Sequence, residues 1–337
     1  MAEPVLTSDK EICRTPSEYA LGIDVGGTKT IITAMGLDEV VLKRGRFATA
    51  QGGDPLEAAW LVTLVSTFLQ RTGLRSDRLK ALAIGVPGAV DMMTGHVSLA
   101  PNLGWMEPYP LRQLLEDALG IPVLVDNDVN MAAIGEQRYG IAKGVKDFVF
   151  VAVGTGIGAG IVIDNRVYRG SHWTAGEVGY MVLSEDCLGH TYRDHGYLES
   201  RASGKGVVQM ARDLSIDLQS LDDRARHLHG DLQAERVFHA ASRGNATAQK
   251  VVDQALSALG LGLANIATLL DPQLIVLGGG VLKNAAILKP LDEAVHRLVP
   301  TKADVVLSRL GTEAQVLGAA ATALQLAKGE AVGADAL

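Results

Sequence analysis

The stretch VDNDVN, Val125–Asn130, sets two carboxylates two residues apart where an apolar run ends. A carboxylate at the end of a buried strand stands where α/β proteins place their chemistry, at strand ends facing a cleft. If the strand persists through both, Asp126 and Asp128 point to opposite faces, so one of the two faces a site. Asn127 and Asn130 add hydrogen-bonding groups. The same residues also read as an Asx-rich helix cap, with Asp126 or Asp128 accepting the first-turn amides. Further polar candidates are Asn102 in APNLGW, Glu177 in GEVGY and Glu199 in YLES.

Three glycine turns accompany these groups. DVGGTK (Asp24–Lys29) lies between two β-type runs. Its glycines allow backbone N–H groups to approach a phosphate, Thr28 and Lys29 add donors, and Asp24 is suited to holding magnesium through water. A plain hairpin turn would use glycine in the same way. GTGIGAG (Gly154–Gly160) repeats the device later in the chain. It is neither a dinucleotide fingerprint, because strand rather than helix follows, nor a Walker loop, because no Gly-Lys-Ser/Thr follows. LGGG (Leu277–Gly280) follows a strand and could admit a purine ring against bare backbone or simply open a helix.

These groups need elements to position them. YALGIDVGGTKTIITAMGL reads as strand, glycine turn, strand, and DFVFVAVGTGIGAGIVIDNRVYRG repeats that pattern. DPLEAAWLVTLVSTFLQRTG reads as a helix opened by Asp54 and Pro55 and ended by Gly73. IPVLVDNDVNMAAIGEQRYG is a strand running into a helix, residues 203–270 are mainly helical, and TEAQVLGAAATALQLAKG is a closing alanine-rich helix. The repeated hairpin predicts two similar α/β lobes with a cleft between them. The expected division is a loose leader over 1–18, a small lobe over 19–134 plus 313–330, and a larger lobe over 135–312.

Composition narrows the function classes. The chain has 337 residues, a net charge of −7 and only 4% aromatics, so its core is built from Ala, Val, Leu and Ile. No basic face suited to nucleic acid is expected. The longest apolar stretch, FVFVAVGTGIGAGIVI, is broken by glycines and too short to span a bilayer. Two distant cysteines, Cys13 and Cys187, and a polar N-terminal stretch fit a cytoplasmic protein without a signal peptide.

Taken in order, DVGGTK, GVPGAVD, APNLGW, DNDVNMAAIGE, GTGIGAGIV, GEVGY, YLE and DPQLIVLGGGV resemble the ROK family of sugar kinases, within the actin/hexokinase/heat-shock ATPase superfamily. The resemblance covers roughly Tyr19 to Lys328. It implies a two-lobed, actin-like (ribonuclease H-like) α/β fold with an interlobe cleft. It implies ATP and Mg²⁺, with Asp24, Gly26, Gly27, Thr28 and Lys29 forming a first phosphate loop, Gly154, Thr155, Gly156 and Gly158 a second, and Gly278 and Gly279 flanking adenosine. Asp128 would be the general base. Gly88, Asn102, Asn127, Glu177, Tyr180 and Glu199 would bind the sugar, with phosphate transferred to its C6 hydroxyl. The family also suggests a homodimer, or a tetramer of dimers.

One segment departs from the family. Its members usually carry His after Gly-Glu-x-Gly, then three cysteines, and bind structural zinc with those four side chains. Here the positions hold Tyr180, His190, Tyr192 and Tyr197, and tyrosine is not a usual zinc ligand. A structural zinc is therefore not expected. In one reading the loop packs on Tyr180, Tyr192, Tyr197, Leu183 and Leu188; in the other, Cys187, His190 and His195 form a shifted site. Two functions compete with the kinase: a non-catalytic sugar binder and a sugar-responsive repressor. The repressor would need a helix-turn-helix domain ahead of the first loop, for which about 20 residues before Gly22 are expected to be too few.

Overall fold

The structure is a computed structural model that describes residues 18–49, 57–187, 189, 192, 195–214, 216, 231–281 and 287–330. Asp54, Pro55, Leu188, His190, Cys13 and all of the expected 1–18 leader except residue 18 lie outside the described residues. Two compact units make up the chain: unit 1 comprises 1–143, 169–175 and 313–337, and unit 2 comprises 144–168 and 176–312.

Unit 1 is organised around a five-stranded sheet. Strands β1 (Tyr19–Val25), β2 (Lys29–Gly36) and β3 (Val41–Ala48) run antiparallel as a meander. Strands β4 (Leu79–Val86) and β7 (Val123–Asn127) extend it in parallel on the other side of β1, giving the order β3-β2-β1-β4-β7. A small hairpin, β5 (Ala89–Asp91) with β6 (His96–Ser98), follows β4. Burial on both faces explains the near-continuous apolar reading of β1 and β4. Helix α1 (Ala58–Thr72) ends at Gly73 in the left-handed conformation, as its sequence predicts. Helix α2 (Leu111–Leu119) closes on Gly120 in the same way.

Helix α3 (Asp128–Tyr139) starts directly at the end of β7, with no intervening loop. It lies against α9 (Ala314–Ala327), which returns from the far end of the chain. The two helices approach closely because both are glycine-notched. A β-carbon on Gly318 would run into the Met131 carbonyl, and one on Gly135 into the Ala314 carbonyl. Gly22 of β1 lies equally tight under the Ala320 backbone. The alanine-rich composition of α9 thus serves backbone approach rather than bulk filling.

Unit 2 repeats the unit 1 sheet. Strands β8 (Phe148–Val153), β9 (Ile157–Ile163) and β10 (Arg166–Tyr168) form an antiparallel meander. Strands β11 (Leu274–Gly278) and β12 (Asp304–Leu307) add in parallel on the other side of β8, for the order β10-β9-β8-β11-β12. The two sheets share one topology, so the hint of an internal repeat in the sequence corresponds to a duplicated architecture. Helices α4 (Tyr197–Ala202), α5 (Gly204–Asp213), α6 (Asp231–Ser242), α7 (Ala246–Leu270) and α8 (Leu288–Leu298) complete the unit. Helix α7 is long and apolar enough to cross a bilayer, but its buried side chains belong to the unit 2 core. Each unit has its own core: Leu21, Ile23, Phe68 and Ile84 in unit 1, and Val151, Leu198, Leu263 and Ile275 in unit 2.

Candidate functional site

In unit 1 the groups converge on the C-terminal ends of β1, β4 and β7. The turn between β1 and β2 is DVGGTK itself, closed by the Gly26 amide donating to the Lys29 carbonyl at 2.9 Å. Thr49 fastens it from β3's end, its hydroxyl donating to the Gly26 carbonyl at 2.6 Å. Asn102 packs against this turn: a β-carbon on Gly27 would sit 3.6 Å from that of Asn102, an ordinary contact that leaves room at Gly27. Thr28 is exposed and Lys29 half-buried.

Asp24 is buried near the end of β1. Burial, then the neighbouring Asp128 charge, push its carboxyl up to about 7, with Lys29 pulling the other way. A buried carboxylate so poorly compensated is suited to a cation. Among the described residues no three His, Cys, Asp or Glu side chains are grouped to hold a metal. A single carboxylate with retained waters fits magnesium's habit.

The VDNDVN stretch is an Asx-rich helix cap, with Asn127 as the capping residue. The strand stops at Asn127, so the two aspartates do not alternate across one strand. The helix cap is Asn127, not Asp126 or Asp128 alone: its Oδ1 accepts the amides of Val129 at 2.8 Å and Asn130 at 3.2 Å. Asn at this position satisfies two orphan amides with a short side chain. Asp128 Oδ1 accepts the Val129 amide as well, at 2.9 Å. Asn127 Nδ2 donates to the Gly88 carbonyl at 3.0 Å, which joins two of the expected sugar-binding positions. Gly88 has φ +101°, and a side chain there would crowd the Ser98 carbonyl. Asp128 is pushed up to about 6, chiefly by burial, opposed by its backbone amide partners and reinforced by Asp126.

In unit 2 a second cluster forms. The β8–β9 turn is Gly154–Thr155–Gly156, closed by the Gly154 amide donating to the Gly156 carbonyl at 3.0 Å. Around Gly154 no described residue lies within 4 Å of where a β-carbon would stand, so packing among the described residues does not demand glycine there. Glu199, in the first turn of α4, sits on this turn: its Oε2 accepts the Ile157 amide at 2.9 Å, while Oε1 lies 3.3 Å from His195 Nδ1. Gly179, between Glu177 and Tyr180, also adjoins Glu199. Gly156, Glu199 and the GEVGY phrase therefore come together, while Gly158 lies within β9. Gly279 abuts the Val153 carbonyl at the end of β8, and Gly278 is buried beneath Phe150.

The sequence reading missed a cavity of about 430 Å³ beside this turn, lined by Thr155, His195, Glu199, Ser203, Lys205 and Arg212 among others. Ser203 caps α5, accepting the Gly206 amide at 3.1 Å, and the Gly204 amide donates to the Gly154 carbonyl at 2.8 Å. The phrase ASGKG carried a cap signal that could have marked it. Arg169, which pairs with Asp126, had no local signal at all.

The tyrosine loop packs only in part. Tyr197 is buried, with Tyr192 edge-on at 5.7 Å and the Arg201 guanidinium 5.3 Å over its ring. Leu183 packs against the unit 2 core. Tyr180 ends a short 3₁₀ turn, Val178–Tyr180, and is 47% exposed. Cys187 is buried, its thiol donating to the Ser184 carbonyl at 2.6 Å. Tyrosines in three of the four family positions do not fit a zinc centre.

A family model described as "ROK family" matches residues 20–326. A glucokinase from Halalkalibacterium halodurans is 33% identical over 319 residues, 89% of this chain and 93% of that protein. A bifunctional enzyme NanE/NanK from Brucella suis is 34% identical over 92% of this chain, which spans 54% of that longer protein. The crystal structure of a ROK family glucokinase from Streptomyces griseus in complex with glucose and AMPPNP has a TM-score of 0.73 at 29% identity, covering 91% of this chain and 99% of that chain. With matching motifs, the duplicated sheet and a family match over residues 20–326 together, the chain belongs to the ROK family.

Proposed function

We propose that this protein is an ATP- and Mg²⁺-dependent sugar kinase that phosphorylates a hexose or hexose-like substrate, at the C6 hydroxyl. The observation that carries the proposal is Asp128 at the β7–α3 junction beside an intact Asp24–Lys29 turn. Similarity to glucokinases and to a NanK-containing enzyme supports the substrate class.

In the proposed reaction Asp128 accepts the proton of the attacking hydroxyl. The freed oxygen bonds to the γ-phosphorus as its bond to the ADP oxygen breaks, and ADP leaves. Such a base contributes about 10²–10⁴-fold. Phosphoryl transfer otherwise needs positioning and charge neutralisation more than covalent chemistry. Magnesium, when bound, would supply part of that neutralisation, with Asp24 holding it through water. Backbone amides around Gly26–Gly27 and Gly154–Gly156, with Thr28, Lys29 and Thr155, are assigned to the phosphates. Gly278 and Gly279 are assigned to the adenosine. Gly88, Asn102, Asn127, Glu177, Tyr180 and Glu199 are assigned to the sugar.

ADP release across a panel of hexoses, aminosugars and cyclitols, with Asp128→Asn as the blank, tests this. One sugar giving turnover that the variant loses is the expected result. Tight sugar binding without turnover above the blank would replace the kinase with a sugar-binding protein.

A further inference from the structure

The chain leaves unit 2 after Tyr168, contributes seven residues to unit 1, and re-enters unit 2 at Gly176. The first of these residues, Arg169, reaches Asp126 at the end of β7. Its Nε and Nη2 donate to Asp126 Oδ2 at 3.1 Å and 2.7 Å. Both side chains are withdrawn from solvent, 12% and 1% exposed. The other oxygen, Asp126 Oδ1, accepts the Asn127 amide at 2.8 Å and Asn130 Nδ2 at 3.1 Å. Asn127 in turn caps α3 and holds the Gly88 carbonyl, and Asp128 opens α3.

Asp126 is thus a buried carboxylate whose two oxygens divide their work. One is gripped by a guanidinium, and the other orients the next residue's backbone and the side chain of Asn130. A guanidinium held by two nitrogens fixes direction as well as charge. We propose that Arg169 is a positioning residue: through Asp126 it sets the orientation of Asn127 and of Asp128 at the strand-to-helix junction. The inference rests on the assignment of Asp128 as base and Asn127 as a sugar ligand.

The alternative is an ion pair that merely holds segment 169–175 on unit 1. Removing both charges at once separates the two roles. Replacing one partner leaves the other buried and unpaired, which is costly; replacing both with neutral groups is often tolerated. The test therefore compares Arg169→Met, Arg169→Lys and the double variant Asp126→Asn/Arg169→Met with wild type and Asp128→Asn. Each is read by melting temperature, sugar affinity by calorimetry, and kcat and KM for the best sugar found.

The expected result is a double variant that melts close to wild type yet keeps a kcat about tenfold or more below it. Arg169→Lys should recover part of the rate that Arg169→Met loses, with the KM for ATP little changed. A double variant restored in both stability and kcat would overturn the inference. If Asp128→Asn keeps wild-type turnover, the assignment of the base fails, which is a separate outcome. If wild type turns over no sugar, the affinity series makes the same comparison through Asn127: weakened sugar binding in a stable double variant supports the inference, and unchanged binding overturns it.

Discussion

Asp24 and Asp126 stand in one row on either side of Gly85, each paired with it in parallel register across β1, β4 and β7. The glycine between them keeps the row low enough for α3 to begin close above it, since a β-carbon on Gly85 would lie 3.3 Å from the Asp128 Cα. Three carboxylates therefore share a small region, and their fates differ. Asp126 has Arg169 as counter-ion. Burial raises the cost of ionising both Asp24 and Asp128, to which the Asp128 charge adds at Asp24 and the Asp126 charge at Asp128.

Stability should report that cost. The Asp24 carboxyl titrates near 7 in the folded chain, against an ordinary 3.8. Between those values the unfolded chain has lost its proton and the folded chain has not, so this contribution to stability is present at low pH and lost as pH rises toward 7. Asp24→Asn removes it. The variant should gain on wild type between pH 4 and pH 7, by up to about 4 kcal/mol, in denaturant melts without nucleotide. Parallel pH dependence in the two proteins would contradict the assigned shift.

Catalysis should show the opposite edge of the same chemistry. The proposed base must be ionised, and burial pushes Asp128 up to about 6. The log of kcat/KM is expected to fall on the acid side with a midpoint near that value, and any residual activity of Asp128→Asn should lack this limb. The loss at neutral pH should be about 10²–10⁴-fold.

The tyrosine loop makes a prediction about stability without metal. Truncating Tyr197 to Ala removes a buried ring, its edge-on partner contact with Tyr192 and the overlying Arg201. By analogy with other large aromatic truncations it should cost about 3–5 kcal/mol in urea unfolding. Chelators should leave the wild-type midpoint where it was.

Tyr180 should govern which sugar is preferred. Its ring stands exposed at the end of the GEVGY phrase, close in sequence to Gly179 beside Glu199. Tyr180→His changes a phenol to an imidazole and should alter the kcat/KM ratio between sugars by about tenfold, on the scale of one hydrogen-bonding contact. An unchanged substrate profile would remove Tyr180 from the sugar-binding set.

Helix approach is testable by one methyl group. Gly318→Ala places a β-carbon against the Met131 carbonyl, which belongs to α3 and has no freedom to rotate away. The helices must part, at about 1–3 kcal/mol or more, visible as a lowered melting temperature. At exposed Gly329, beyond α9, the new β-carbon would meet no described residue, and with only its positive φ of 70° opposing the change it should cost less.

Much of this was legible in the chain itself. Both glycine hairpins could be read because β-branched runs flank them and strand pairing is local. The end of α1 was marked by Gly73, and the start of α9 by the sequence after Gly311. The β7–α3 junction was less legible: Asp and Asn all suit a cap, and only the exact end of the strand selects Asn127. Arg169 could not be found, because its partner lies 43 residues earlier and nothing local distinguishes it from a surface arginine. Tyr180 and Tyr197 look alike in sequence; only the fold buries one and exposes the other.

The route of α9 bears on how the molecule is made. The strands of unit 1 precede unit 2 in the chain, yet the helix that covers Gly22 of β1 and notches into α3 follows unit 2. On the ribosome the first sheet must wait, its face uncovered, while all of unit 2 emerges and can complete its own core. Strand β1 is therefore translated before unit 2 but reaches its final packing after it, and a chain broken off before Ala314 would lose the helix that closes unit 1.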